Sequence, residues 1–368
     1  MASEQLIEKI KAIKRAHPGN LMARHFDAEY FLSLDEHARQ RLSKIIASGI
    51  ENPDSQMGAY AMHPQDYDQF ATMLDPMIRD SHGIAVETEI SQPHDWDTGG
   101  APCDLGAIDE RLKDVSMRVR VARNVATFPL PGAMSKEQRV AFENVAAQAF
   151  ATMAEARAFG GQYLSITPGS PHEIDANEYA RRVQAHQMFK DMSADPYLNA
   201  AGISGDWPHG RGMYVSRDED FLVWVGEEDH LRIMSMQHGG NLNALFERLH
   251  SGLQTLTSLL PPFATSPTYG NVTSCPTNLG AGMRASLHVN LPNLTSNGSD
   301  LTRLKQEAQD LGLAVRGAGG EHSGAGTDGL VDISPSARLG VTEKQIMQRL
   351  YDGAAALWAL EQTTPSNG

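Results

Sequence analysis

Residues 275–292, C-P-T-N-L-G-A-G-M-R-A-S-L-H-V-N-L-P, decide how the rest of this chain is read. The first half is a loop broken by proline and glycine and carrying one thiol, Cys275. From about Met283 the residues become those of a strand, on which side chains alternate between faces. Arg284, Ser286 and His288 then share one face, and Ala285, Leu287 and Val289 share the other. The pattern predicts a half-buried strand with a cation and an imidazole aimed into a cleft and a thiol at its mouth. Taken singly, Arg284 reads equally as a solvated charge and Cys275 as an ordinary buried cysteine.

Outward from that stretch, the totals narrow the choice. A chain of 368 residues has room for two domains and a substantial core. The net charge of −14 argues against nucleic acid or an anionic membrane as partner. A phosphate ligand would have to be held by arginines concentrated locally against that field. No apolar run approaches the roughly 18 residues a membrane span needs, and the first residues, M-A-S-E-Q-L-I-E-K-I-K, read as an amphipathic helix rather than a signal peptide. The two cysteines, Cys103 and Cys275, are too far apart in sequence to suggest a disulfide framework, so a reducing cytoplasm is expected.

Hydrophobic spacing predicts a helix over 4–15 (Leu6, Ile7, Ile10, Ile13), another over 32–50 capped by Ser33, and a third over 64–80 burying Tyr67, Phe70, Leu74 and Met77. Residues 1–92 thus read as an all-helical unit and 93–105, rich in turn formers, as a linker to a unit spanning 106–368. Beyond the linker, strands are expected at 115–121, 221–228, 231–237, 283–290, 313–316 and 330–333. Helices are expected at 136–158, 241–260, near 299–310 and, capped by Thr342, at 342–362. The strands lie mostly adjacent without regular strand–helix alternation, which predicts an α+β fold with an antiparallel sheet.

Five arginines are placed for a polyphosphate: Arg118 and Arg120 alternating on one strand, Arg232, Arg284 and Arg316 each on another. The planar guanidinium makes bidentate, charge-assisted hydrogen bonds to phosphate. No Walker A or protein-kinase motif occurs, and the glycine-rich run 317–326 lacks a lysine, so it reads as a loop able to swing over a ligand rather than a fixed cradle. Two carboxylates stand out, Glu228 closing the strand from Phe221 and Glu321 inside the glycine-rich run. Alternation turns Glu227 away from Glu228's face, as a structural residue. A pair of carboxylates can grip a planar guanidinium, align its nitrogen and take its proton.

These blocks resemble the ATP:guanidino phosphotransferases, the phosphagen kinases. C-P-T-N-L-G, W-P-H-G-R-G at 207–212, F-L-V-W-V-G-E-E-D-H-L-R-I-M-S-M at 221–236, V-R-G-A-G-G-E-H at 315–322 and R-L-G-V-T-E at 338–343 are collinear with that family's motifs. The resemblance implies a small helical N-terminal domain and a C-terminal domain with an eight-stranded antiparallel sheet flanked by helices, glutamine synthetase-like. It implies that Arg118, Arg120, Arg232, Arg284 and Arg316 hold ATP or ADP phosphates, with Ser286 on the same wall. His288 and His186 would lie around the adenine, and Asp332 near the ribose. Glu228, Glu321 and Cys275 would meet the guanidinium, and Mg²⁺ would arrive on the nucleotide without protein ligands. The implied reaction is reversible γ-phosphoryl transfer from MgATP to L-arginine, giving phosphoarginine. By analogy the enzyme would be a monomer.

Within the family, Glu321 favours an unmethylated guanidinium, since creatine kinases carry valine before the loop histidine. The segment 53–62, with Ser55, Gln56, Met57 and Tyr60, resembles the arginine kinases' specificity loop. Against that pattern Gln56 and Met57 are larger than usual and could narrow the pocket. Gly319 replaces an arginine, Ala281 a threonine, Met117 a small hydroxyl residue, and the segment from Glu321 to Asp332 is one residue longer. The alternatives are a kinase for taurocyamine or glycocyamine, or a nucleotide-binding homologue without turnover.

Overall fold

The structure, a computed structural model, describes residues 3–99, 103–317, 326 and 329–365. Its N-terminal part is helical: α1 (Ser3–Ala16), α2 (Leu21–His25), α3 (Ala28–Ser33), α4 (Glu36–Ile45), α5 (Ala47–Glu51), α6 (Asp66–Gln69) and α7 (Ala71–His82). The apolar stripe of α1 is buried as its spacing requires. The single helix expected over 32–50 is instead α3, α4 and α5. Asp35 caps α4, accepting from the Ala38 N–H at 2.8 Å, whereas Ser33 ends the preceding helix and donates its hydroxyl to the Tyr30 carbonyl. The helix expected over 64–80 is broken at Phe70, yet Tyr67, Phe70, Leu74 and Met77 are all buried in one apolar cluster with α1. That cluster runs on into Leu130, Val272, Cys275, Leu279 and Leu339, so the helical unit shares its core with loops beside the sheet.

The sheet is formed by β1 (Val115–Arg123), β2 (Gly161–Ser165), β3 (Gly212–Ser216), β4 (Phe221–Val225), β5 (Leu231–Gly239), β8 (Met283–Asn290), β9 (Leu313–Gly317) and β10 (Leu330–Pro335); β6 (Thr265–Ser266) and β7 (Gly270–Asn271) make a separate two-stranded ladder. The order is β2-β3-β4-β5-β1-β8-β10-β9, with every pair antiparallel. The strands β2 and β3 are not legible in the sequence because neither shows a clear alternation of apolar and polar residues.

The remaining helices are α8 (Lys136–Glu155), α9 (Ala176–Gln184), α10 (Pro196–Ala200), α11 (Leu242–Leu259), α12 (Thr302–Asp310) and α13 (Glu343–Thr363). One face of the sheet, carrying Val119, Val121, Val223, Ile233, Ala285, Leu287 and Ile333, is buried against α8, α11 and α13. Met117 belongs to this apolar face and is 1% exposed, so it lies on the opposite side of β1 from Arg118. The other face is covered at the β2-β3-β4 end by Met188, Phe189 and Met192, which pack on Leu222, Trp224 and Met234. The strand β8 is therefore buried on both faces from Met283 to Val289 except at His288, not half-buried as alternation suggested.

Residues 92–96 lie against the start of α13 and against α11. Gln92 Nε2 donates to the Val341 carbonyl and its Oε1 accepts from the Gly340 N–H, both at 2.9 Å. His94 and the Asp95 N–H reach the buried Glu343 carboxylate at 2.8 and 3.1 Å, and Trp96 stacks on Phe246 and His250 of α11.

Candidate active site

In an antiparallel ladder, directly opposed residues point to the same face. Arg120 is opposite Arg284, and Arg118 is opposite Ser286. Arg232 is opposite both Ala122 and Trp224, while Asp332 is opposite both His288 and Arg316. Stepping by two along β1 links Arg118, Arg120 and Ala122. Register alone therefore brings all five arginines to one face, across β5, β1, β8, β10 and β9.

Crowding cations in a buried place costs stability, and the site answers it in two ways. Burial, followed by repulsion from Arg284, lowers Arg118 to about 10. Burial and then Arg232, Arg118 and Arg284 depress Arg120 further. Arg232 and Arg284 are partly neutralised. Arg232 Nη2 meets Glu227 Oε2 at 2.8 Å and its guanidinium lies 5.1 Å from the Trp224 ring centre. Arg284 Nη2 donates to Asp332 Oδ1 at 2.5 Å, while its buried Nε has no hydrogen-bond partner among the described residues. Burial works to raise the Asp332 carboxyl, but hydrogen bonds from His288 and Arg284 outweigh it and hold the group below its usual range. A narrow cleft opens among Arg120, Ala122, Arg232, Asn278, Gly282, Met283 and Arg284.

Glu228 stands at the rim of this wall, though not for the reason alternation supplied. The strand β4 ends at Val225, and Gly226, with φ 72°, turns the chain. Glu228 therefore sits in a turn, and Glu227 also reaches the cationic face, where it holds Arg232 and accepts from the Glu228 N–H at 2.8 Å. The reading of Glu227 as pointing away is corrected accordingly. Burial, then the neighbouring Asp229 and Glu227, raise the Glu228 carboxyl to about 8. Cys275 is pushed up to about 12, by burial first and Glu228 second, so at neutral pH it is a thiol; its Sγ lies 3.1 Å from Thr277 Oγ1.

Two residues here have no counterpart in the sequence reading. Asn278 Nδ2 donates to Glu228 Oε1 at 3.1 Å, and Arg338 donates to Asn278 Oδ1 and to the Thr277 carbonyl. Burial, then Arg284 and Arg316, lower Arg338 to about 10, which makes it a sixth cation of the wall. Asn278 lies in the opening stretch and Arg338 begins the R-L-G-V-T-E block, but neither has a spacing signal. Their meeting depends on two loops folding together. Glu227 was seen and assigned to the wrong face.

The loop over 53–62 faces the same place. The carbonyls of Gln56 and Met57 accept from the Leu21 and Met22 N–H groups at 2.7 and 3.2 Å. Across a trans peptide the N–H points opposite to the carbonyl, so the Met57 N–H is aimed away from the helical core. The Gly58 N–H donates to Ser55 Oγ at 3.0 Å. The Met57 side chain is buried in the helical core and Gln56 is exposed, so Met57 does not narrow a pocket. Burial, then Cys275, Glu228 and Asp195, push the Tyr60 hydroxyl up, which puts that hydroxyl among the site's acids. The loop is fastened to the cysteine segment by Ala61 N–H on the Ser274 carbonyl (2.8 Å) and by the Tyr67 hydroxyl on the carbonyls of Thr273 and Ser274 (2.7 and 3.1 Å). On its other side, the Tyr197 hydroxyl of α10 donates to Asp54 at 2.6 Å.

His186 is exposed in the turn after α9, beside Gln187, whose carbonyl accepts from Trp224 Nε1 at 2.5 Å. His288 is on β8, three strand spacings (roughly 14 Å) from β4. His186 thus lies at the β4 end of the wall, whereas His288 lies within it, on the strand that carries Arg284. Asp332 is engaged by Arg284 and His288. Glu321 and Gly319 lie outside the described residues. Among the described residues no group of three or more His, Cys, Asp or Glu side chains is gathered to hold a metal ion.

Residues 141–364 match the family described as ATP:guanido phosphotransferase, C-terminal catalytic domain, and residues 17–79 match its N-terminal domain. An arginine kinase of Artemia franciscana is 37% identical over 324 residues, covering 88% of this chain and 86% of that one. An arginine kinase of Limulus polyphemus is 34% identical, covering 93% and 92%. Among solved structures, the substrate-free duplicated taurocyamine kinase from Schistosoma mansoni superposes with a TM-score of 0.83 at 29% identity, covering 98% of this chain and 49% of that longer one. A lombricine kinase superposes with a TM-score of 0.82 at 28% identity, covering 94% and 92%.

Proposed function

The chain belongs to the ATP:guanido phosphotransferase family, and from that premise we propose that it transfers the γ-phosphoryl group of MgATP reversibly to a guanidino nitrogen of L-arginine, giving ADP and phosphoarginine. The observation that carries the reading is the juxtaposition of Glu228, a carboxyl poised near pH 8, with a wall of buried arginines. Phosphoryl transfer through a loose, in-line transition state asks the protein for alignment and charge stabilisation rather than covalent chemistry. Arg118, Arg120, Arg232, Arg284, Arg316 and Arg338 supply the charge. The phosphates take over from Glu227 and Asp332 as partners of Arg232 and Arg284. Mg²⁺ comes with the nucleotide, held by phosphate oxygens and water. Glu228 orients the guanidinium and accepts its proton as the nitrogen attacks. Cys275 borders the same group, and a bound guanidinium would lower its pKa by opposite charge. Glu321 serves as the second carboxylate.

For the tail of the substrate, the outward Met57 N–H suits a carboxylate, and the nearby acids Asp54 and Asp195 suit an ammonium group. An α-amino acid carries both. The structural likeness to taurocyamine and lombricine kinases supports a second reading, the same chemistry on one of those guanidines. A coupled assay with MgATP and a panel of arginine, taurocyamine, glycocyamine and lombricine separates them. Arginine is expected to have the highest kcat/KM, by tenfold or more (about 1.4 kcal/mol in transition-state binding). A higher value for any other guanidine overturns the substrate assignment, and no turnover with any leaves a nucleotide-binding homologue.

A further inference from the structure

We propose that Arg211 is a positioning residue, which fixes where Glu228 is held without itself meeting substrate. The inference rests on the reading of Glu228 given above. Arg211 is 0% exposed, and its three hydrogen bonds all go to backbone carbonyls: Nε to Gly226 at 3.1 Å, Nη1 to His209 at 2.7 Å and Nη2 to Ile203 at 2.8 Å. The guanidinium lies 5.6 Å from the Trp207 ring centre. A cation with no carboxylate in direct contact is costly to bury. Burial first, then repulsion from Arg139, lowers Arg211 to about 9. Hydrophobic packing of that space would cost less, so the carbonyls that Arg211 holds are the place to look for its use.

One of those carbonyls belongs to Gly226, where the acidic turn begins. The Gly226 N–H donates to the His230 carbonyl at 3.0 Å, closing a turn whose interior residues are Glu227, Glu228 and Asp229. A Cβ at Gly226 would fall 2.3 Å from the Gly210 carbonyl oxygen, so the two backbones are pressed together. The far end of the turn is anchored separately. Asp229 accepts from Asn124 Nδ2 (2.6 Å) and the Ser274 N–H (2.7 Å), and His230 accepts from the Val125 N–H and donates to the Pro129 carbonyl. Arg211 holds the near end. Its own frame is stiff: the Ile203 carbonyl also accepts from Arg139, the Gly210 N–H donates to Thr167 Oγ1, and Thr167 donates to the buried Glu143. Displacing a catalytic carboxylate by about 1 Å costs roughly 10²-fold. A loosened turn would also admit water to Glu228, whose raised pKa comes first from burial.

The test is a double-mutant cycle with R211K and E228Q, reading kcat, KM for MgATP and the acid limb of the kcat/KM–pH profile. R211K is expected to lower kcat roughly 10- to 100-fold. KM for MgATP should stay within about twofold, and the acid limb should move to lower pH. In the E228Q background the same substitution should cost less than about twofold, because the group it positions is gone. Multiplicative losses in the double variant, or a rise in KM for MgATP as large as the fall in kcat, overturn the proposal. Should R211K not fold, Trp207→Leu strips the ring from the guanidinium and leaves the three hydrogen bonds; a smaller loss with the same non-additivity is expected, and an additive loss overturns it equally. If E228Q alone is within about twofold of wild type, the reading of Glu228 fails and takes this proposal with it. A crippled E228Q with an additive cycle removes only the role of Arg211.

Discussion

Glu228 is held in an environment that works against its charge. Burial and two adjacent acids raise it to about 8, offset in part by Arg232 and Arg120. A base must be ionised to act, so the reaction in the direction of guanidine phosphorylation should rise through pH 8 with Glu228. Glu228→Gln is expected to lower kcat roughly 10²–10⁴-fold, and a loss smaller than about twofold in steady-state assays contradicts its role. The linkage has a sign. A folded-state pKa above the unfolded value means the folded state binds the extra proton, so that contribution to stability is full below the unfolded pKa and is lost as pH rises through about 8. Denaturation melts above pH 8 should therefore find Glu228→Gln more stable than wild type. Arg284 and Asp332 give a contrasting case, a buried pair in which each needs the other. Arg284→Ala leaves the buried Asp332 carboxylate with His288 in place of the pair and should cost about 3 kcal/mol or more in chemical denaturation. Adding Asp332→Asn should recover much of that stability while nucleotide affinity stays weak. Recovery of both would mean that Arg284 serves the fold and not the ligand. Such residue pairs were legible only in part: Arg284 and Asp332 were both picked out, but their pairing across β8 and β10 follows from register.

At the scale of elements, alternation told which residues share a face wherever a strand continued, though not how deeply that face is buried. It grouped Arg118 with Arg120, and Arg284 with Ser286 and His288, and the ladder register makes the two sets a single wall. It misassigned Glu227 because β4 stops at Val225 and the chain turns at Gly226, after which a period of two has no meaning. The helices show the same limit: Thr342 caps α13 as expected, there within a full capping box, but Asp35 rather than Ser33 caps α4, because Ser33 ends the helix before it. The join between loop 53–62 and the cysteine segment can be tested through Tyr67, whose fully buried hydroxyl serves two carbonyls. Tyr67→Phe takes this donor from the Thr273 carbonyl and leaves the Ser274 carbonyl with the Ala61 N–H, and should cost about 1–3 kcal/mol. KM for the guanidino substrate should rise more than KM for MgATP; equal changes would separate this bridge from substrate binding.

For the molecule as a whole, the segment after the helical unit is fastened rather than loose. Gln92, His94 and Asp95 tie it to the start of α13, immediately after Arg338. Gln92→Ala removes the partners of the Gly340 N–H and the Val341 carbonyl at once and should lower stability by about 1–3 kcal/mol in guanidinium denaturation. No change would mean that water replaces the side chain at no cost. The division of labour between the two sheet faces is also a whole-molecule property: one face is sealed by α8, α11 and α13, and the other is packed with apolar side chains at the β2-β3-β4 end and carries the arginines beyond it.

The chain's own order of residues determined the α+β class, six of the eight strands, the five arginines and the cleft-facing strand, because periodicity and turn chemistry act over a few neighbouring residues. Which acid faces the cations, how Asn278 and Arg338 reach Glu228, and why Arg211 is buried were decided by loops from distant positions packing together. Those contacts answer to burial and the need to satisfy buried charge, and neither leaves a repeat that can be read along the chain.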